Sequence, residues 1–275
     1  MTIKDITEIA NPNNINLKPI KEVQDIYVPD IVNQNISRRN GMVYCLTGSG
    51  GSGKTSLLLN QFKSKLMYRN RFNNIYYICP SSSFLSVQRH PFEKHDKVYH
   101  ELTVGLLDNI YNELIAKKEA YAEYQEEKKK KKGKKKIEKI DGQEEVEDDE
   151  GQEQELEYSC IIIDDMASSL KDNDISKQLN KMIIKARHIM CGFIFTLQSY
   201  YYFPKLLRKQ LTYITIFKPK NIEEWNSIAS ELMNINKDDA LTIFNYVFNE
   251  AYNHIDIDLV NNKYYKNFNE LKIQN

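Results

Sequence analysis

Residues 42–55, MVYCLTGSGGSGKT, decide how the rest of the chain is read. The first six are a short apolar run of strand character. The next eight, Gly48, Ser49, Gly50, Gly51, Ser52, Gly53, Lys54 and Thr55, fit the pattern G-x-x-x-x-G-K-[ST]. Helical spacing follows from Thr55 to about Tyr68, with Leu57, Leu58, Gln61, Phe62 and Leu66 available for a buried face. A strand, a Gly-rich turn and a helix in that order are the setting that a phosphate-binding loop requires. The glycines let successive backbone N–H groups turn inward around a β-phosphate. Lys54 brings a cation to the β- and γ-oxygens, Thr55 offers a hydroxyl to Mg²⁺, and the helix points its positive end at the anion. Chance supplies this pattern in a chain of this length only ~1% of the time. The expected ligands are ATP and Mg²⁺.

A second apolar run, Ser159–Ile163 (SCIII), leads straight into Asp164 and Asp165. In a parallel sheet the C-terminal ends of the strands share one edge, so this acidic pair should face the phosphate loop. Asp164 is the expected Mg²⁺ acid, and Asp165 is placed to polarise the attacking water. A third run, Cys191–Leu197, ends at Gln198, whose amide can reach a γ-phosphate or the lytic water. Arginine is scarce here, seven against 31 lysines, so Arg187 and Arg208 on either side of that run stand out. Either could act in trans as an arginine finger.

Strand and helix patterns alternate through most of the chain, which argues for an α/β fold with a mainly parallel, three-layer core. Further strands are expected at Ile75–Cys79, halted by Pro80 and three serines, and at Tyr213–Phe217. Helices are expected from Val104 to about Tyr124, from about Asn173 to His188, after Pro204, and over 221–232 and 236–251. The alternating segments 254–260 and 263–268, joined at Asn261 and Asn262, have the layout of a C-terminal β-hairpin. Residues 1–40, Asn-rich and punctuated by Pro12, Pro19 and Pro29, read as an extended arm before an ATPase domain at 41–275.

That domain is interrupted. Residues 117–157 hold 11 lysines and 15 acidic residues, with eight lysines inside 128–136 and an acidic block from Glu144 to Glu157. Part of this insert can extend the preceding helix, but most of it is expected to be disordered. Without it, the 110 residues between Lys54 and Asp164 shrink to about 69, an ordinary distance for an intervening strand and helix.

The chain carries 38 basic and 38 acidic residues, which excludes a uniformly basic nucleic-acid coat. Outside the insert 27 basic and 23 acidic residues remain, so any DNA contact must be a local patch. Lys205, Arg208, Lys209 and the 128–136 tract are the candidates. No apolar run approaches the ~18 residues of a membrane span, and the N-terminus lacks a signal-peptide layout. Cys45, Cys79, Cys160 and Cys191 are far apart and lie in or beside apolar runs, as small hydrophobes do in a reducing compartment. The expectation is a soluble, intracellular protein.

Taken together, GSGGSGKT, IIIDD, a helix ending in KARH, FIFTLQ, FPKLLRKQ and YITIF resemble the DNA-packaging ATPases of poxviruses and other large nucleocytoplasmic DNA viruses. These form part of the FtsK/HerA-like branch of P-loop ATPases, and the resemblance spans roughly residues 40–270 with the insert set aside. It implies an ATP-driven motor that threads double-stranded DNA into a capsid as a homo-oligomeric ring, with a capsid or portal-type partner. It also implies work in the cytoplasm of an infected cell, at viral assembly sites, with virion association a further option. By position it assigns phosphate and Mg²⁺ binding to Lys54 and Thr55, the Mg²⁺ acid to Asp164 and the catalytic acid to Asp165. Gln198 becomes the sensor, and Arg187 or Arg208 the finger. The wider branch commonly has Glu where this chain has Asp165, one methylene shorter. Two other readings stay open at this point: a nucleotide-gated interaction module, and a P-loop phosphotransferase acting on a small molecule.

Overall fold

The computed structural model describes residues 41–138 and 156–272. Its frame is a nine-stranded sheet in the order β3-β2-β4-β5-β1-β6-β7-β8-β9. The strands are β1 (Val43–Thr47), β2 (Asn74–Ile78), β3 (Val98–Tyr99), β4 (Ser159–Asp164), β5 (Cys191–Leu197), β6 (Tyr213–Phe217), β7 (His254–Asp258), β8 (Lys263–Lys266) and β9 (Asn269–Leu271). The first six run parallel, and β7, β8 and β9 close one side antiparallel. The helices are α1 (Lys54–Lys63), α2 (Ser81–Leu85), α3 (Val104–Glu138), α4 (Asn173–Ile184), α5 (Lys205–Arg208), α6 (Ile222–Ile228) and α7 (Lys237–Val247).

The apolar runs of the sequence are central strands buried on both faces, as parallel sheets require. Along β4, Ile161 and Ile163 enter one core while Cys160 and Ile162 enter the other. The larger core gathers Leu107, Ile110 and Leu114 of α3, Leu179 and Met182 of α4, Trp225 of α6 and Val247 of α7. The smaller core lies under α1, where Leu58, Leu59 and Phe62 pack with Tyr68 and Phe92. A sheet between two helical layers is the three-layer α/β architecture expected from the alternation. All four cysteines are free and buried.

The order β4-β5-β1 has a functional consequence. It sets the C-terminal ends of three adjacent strands side by side, with Asp164 opposite Thr196 and Thr47 opposite Leu197.

Several expectations are corrected. Helix α3 continues to Glu138, well past the expected end near Tyr124, so the part of the charged insert that extends the preceding helix reaches residue 138. Among the described residues its contacts to the core come from the N-terminal turns, and α3 is about 50 Å long at 1.5 Å per residue. Helix α4 stops at Ile184, which leaves Arg187 and His188 in the turn before β5. Leu66, expected on the buried face of α1, is 60% exposed because that helix ends at Lys63. The three serines after Pro80 begin the short helix α2. Beyond the expected hairpin, β9 adds a third antiparallel strand. The N-terminal arm and most of the acidic block of the insert lie outside the described residues.

Candidate active site

The phosphate loop leaves β1 at Gly48 and enters α1 at Lys54. Two of its glycines are sterically required. A Cβ on Gly48 would sit 2.6 Å from the Cβ of Phe217 and 2.9 Å from Ser52 Oγ. Gly53 has φ 100°, a left-handed conformation that side-chain-bearing residues rarely adopt. Ser52 closes the turn by donating its N–H to the Ser49 carbonyl at 3.2 Å. Lys54 folds back over the loop, donating from Nζ to the carbonyls of Gly48 at 2.7 Å and Ser49 at 2.9 Å. Burial lowers its pKa, an effect opposed by the charges of Asp165 and Asp164.

Asp164 closes the floor of the site at 1% exposure. Its Oδ1 accepts from the Thr196 hydroxyl and lies 3.4 Å from Thr55 Oγ1. Its Oδ2 accepts from the Tyr77 hydroxyl at 2.5 Å. Burial pushes the Asp164 carboxyl above the ordinary carboxylate range, against the pull of the Thr196 and Tyr77 hydroxyls. Thr55 and Asp164 together present hard oxygen donors of the kind Mg²⁺ takes.

At Asp165 the chain turns sharply, with φ 56°, and its N–H donates to Thr196 Oγ1 at 3.1 Å. This turn aims the second carboxylate away from the first. Its Oδ1 accepts from Gln198 Nε2 at 3.1 Å and its Oδ2 from Ser83 Oγ at 3.3 Å. The two acids therefore have separate partners: Asp164 faces Thr55 at the phosphate loop, and Asp165 faces Gln198. Gly50, Gly51, Lys54, Thr55, Asp165 and Gln198 are among the residues lining a cleft of about 440 Å³, within the ~300–1,000 Å³ usual for small-molecule sites.

Sequence reasoning passed over Tyr77, Ser83 and Thr196. All three are hydroxyl residues at or beyond the C-terminal ends of the strands flanking β4. The neighbour order of the sheet, hidden in the sequence, is what makes them relevant.

The two arginines are not brought to the cleft. Arg208 is turned into its own loop: Nε donates to the Phe203 carbonyl at 2.8 Å and Nη2 to the Tyr200 carbonyl at 3.1 Å. Its Nη1 lies 3.3 Å from Glu231, and its guanidinium stacks 4.3 Å from the Tyr200 ring. Arg187 is exposed beside Gly41, at the N-terminal edge of the sheet opposite the phosphate loop.

The family model described as the poxvirus A32 protein matches residues 33–270. The chain belongs to the poxvirus A32 family. It is with that a P-loop ATPase of the viral genome-packaging class. No curated protein matches it. Among solved structures it is similar to B204, the DNA-packaging ATPase of Sulfolobus turreted icosahedral virus, at 14% identity and TM-score 0.54, over 86% of this chain and 100% of that one. It is also similar to the cytoplasmic domain of the type VII secretion ATPase EccC of Thermomonospora curvata, at 14% identity and TM-score 0.50. That match covers 90% of this chain and 29% of the other. At such identities the likeness is one of fold: an A32-family chain on a P-loop ATPase frame. No described helix of this A32-family chain is long and apolar enough to cross a membrane.

Proposed function

We propose that the chain hydrolyses ATP in this cleft in a Mg²⁺-dependent reaction and uses the turnover to move double-stranded DNA. In this reading it acts as one subunit of a homo-oligomeric ring that packages a viral genome in the infected cell, against a capsid or portal-type partner. The observation that carries the hydrolytic reading is the separation of the two acids, one at Thr55 and the other at Gln198. A group that only moved phosphate to a bound acceptor would have no use for a second carboxylate held ready for water.

Thr55 Oγ1 and Asp164 would hold Mg²⁺, and the buried, electron-rich character of Asp164 fits a divalent cation. When bound, the ion supplies neutralisation of charge on the phosphate oxygens. The remaining work falls to the chain. The loop amides between Gly48 and Thr55 bind the β-phosphate, and Lys54 exchanges the Gly48 and Ser49 carbonyls for phosphate oxygens. Asp165 accepts a proton from the attacking water, with Gln198 fixing its Oδ1 and reporting loss of the γ-phosphate to the loop after β5. Of the two arginines, Arg187 has no side-chain partner among the described residues, so a role in trans falls to it; Arg208 is committed to its own loop.

The test is the steady-state ATPase rate with and without double-stranded DNA over a protein-concentration series, beside Asp165→Asn. DNA should stimulate turnover, and specific activity should rise with concentration as sites are completed between subunits. Asp165→Asn should still bind ATP and Mg²⁺ while turnover falls by about 10²–10⁴-fold, the usual worth of a general base. Wild-type turnover indifferent to both DNA and concentration would remove the motor reading and leave an ATPase.

A further inference from the structure

We propose that the groove between the loops following β4 and β5 is where this subunit holds the phosphate backbone of DNA. The inference rests on the motor reading above and supplies its missing contact surface. The groove encloses about 430 Å³ and includes Lys171, Lys177, Lys205, Tyr201, Tyr202 and Leu206 in its wall. Three ammonium groups line it and no carboxylate does. In a chain of zero net charge, such a local excess is what a polyanion selects.

Two neighbouring acids, Asp172 and Asp174, lie outside the lining of the groove. Asp172 caps α4, accepting from the N–H groups of Asp174 at 2.8 Å and Ile175 at 3.1 Å. Asp174 makes only a 3.5 Å contact with Lys177, with both side chains more than 70% exposed, an arrangement of little worth. Among the described residues, Lys171 and Lys205 have no carboxylate within ion-pair distance. Tyr201 and Tyr202 stand 50% and 45% exposed beside them, together with Leu206 at 47%.

The groove is also preorganised, which lowers the ordering cost of binding. Tyr201 donates its hydroxyl to Ser227 Oγ at 2.9 Å, while Arg208 grips the carbonyls on either side of the two exposed tyrosines. The two loops are tied to each other twice. At the ATP end Gln198 donates to Asp165, and at the groove end the Lys171 ammonium lies 5.4 Å from the centre of the Tyr202 ring. Asp165 opens one loop six residues before Lys171, and Gln198 opens the other three residues before Tyr201. A change in the Asp165–Gln198 hydrogen bond on loss of the γ-phosphate is thereby passed to the lysines over a few residues of backbone.

The experiment measures binding of a double-stranded DNA duplex by the full chain across a salt series, together with DNA-free and DNA-stimulated ATPase. The K171A/K177A/K205A variant should bind at least tenfold more weakly at low salt. Its slope of log affinity against log salt should shrink by about 2.7, at ~0.9 for each phosphate that is no longer neutralised. DNA-free turnover should stay at the wild-type rate while DNA stimulation disappears, and K171R/K177R/K205R should keep both affinity and slope. An alanine variant that binds DNA with wild-type affinity and slope overturns the groove and leaves the motor reading standing. A wild-type chain that binds no DNA overturns both. Loss of DNA-free turnover together with binding overturns the groove as a surface separate from the catalytic cleft.

Discussion

Asp164 and Asp256 are buried almost equally, at 1% and 0% exposure, and their surroundings could hardly differ more. Asp164 ends a parallel strand, looks into an open cleft beside Lys54, and is met by the hydroxyls of Thr196, Tyr77 and Thr55. Asp256 lies within antiparallel β7. Its Oδ1 accepts from Thr215 Oγ1 at 2.5 Å, and its Oδ2 accepts from the Phe268 N–H at 3.2 Å and lies 3.4 Å from His254 Nε2. Thr215 is in contact with the Tyr44 hydroxyl at 2.8 Å, which accepts from Gln61 at 3.1 Å. That chain of polar groups links β7, β6, β1 and α1 and fastens the antiparallel extension to the phosphate-loop half. One carboxylate lines an open cleft, and the other ties three strands and a helix together.

The largest effect expected from this contrast is at Asp164. Asp164→Asn should lower kcat by on the order of 10³-fold, in line with loss of an electrostatic interaction at the transition state. The same change should raise the stability of the nucleotide-free protein at neutral pH. Burial raises the folded-state pKa of Asp164, so the folded state binds the extra proton. Wild-type stability therefore falls as pH rises from the ordinary Asp value through that raised value. Asn escapes this penalty, and the three hydroxyls around it can rotate to suit an amide. Thermal unfolding from pH 3 to 8 should show the variant ahead at neutral pH and the gap closing in acid. A variant less stable than wild type throughout would make Asp164 a structural acid after all.

Asp256→Ala should do the reverse. It removes the carboxylate that accepts from the Thr215 hydroxyl and the Phe268 N–H, at ~1–3 kcal/mol for each lost acceptor, so a loss of about 2–6 kcal/mol is expected. Denaturant titration measures that loss, and kcat per folded molecule should stay within about twofold of wild type. A collapse of turnover as deep as that at Asp164 would break the contrast.

The two regions were also unequally legible in the sequence. The catalytic edge announces itself because a phosphate loop needs fixed residue types at fixed spacing, and because strands buried on both faces read as the runs VYCLT, SCIII and CGFIFTL. From these the parallel sheet, the cleft and the placement of Lys54, Thr55, Asp164, Asp165 and Gln198 could all be anticipated. Asp256 could not, because HIDID reads as an ordinary alternating strand with Ile255 and Ile257 on its core face, and nothing in it marks the opposite face, which carries Asp256, as buried too. Its partner Thr215, and Tyr44 beyond Thr215, come from strands 40 or more residues away. Arg208 was legible only as a residue type. Scarcity of arginine marked it as special, and the carbonyls of Phe203 and Tyr200 that its guanidinium bridges are contacts no spacing pattern announces. In the insert, lysine-rich composition argued for disorder, whereas eight lysines on one helix are tolerated where α3 has already been nucleated by Leu107, Ile110 and Leu114.

Tyr77 offers the finest division between the two kinds of acid. Its ring belongs to the core, with centroids 5.0 Å from His90 and 4.9 Å from Phe92, while its hydroxyl belongs to the site. Tyr77→Phe keeps the packing and deletes only the 2.5 Å hydrogen bond to Asp164. A hydrogen bond to a charged group is worth ~1.5–3 kcal/mol of stability, so a loss of that order is expected, and with Thr196 still holding the other oxygen kcat should fall by about tenfold. The loss should appear as a higher Mg²⁺ requirement, since the freed Oδ2 no longer fixes the orientation of the carboxylate toward Thr55. The KM for ATP should move little, because the phosphate loop is untouched. Wild-type behaviour in a Mg²⁺ titration would mean that Thr196 alone orients Asp164, and that the hydroxyl of Tyr77 serves the buried core as the Thr215 hydroxyl does beside Asp256.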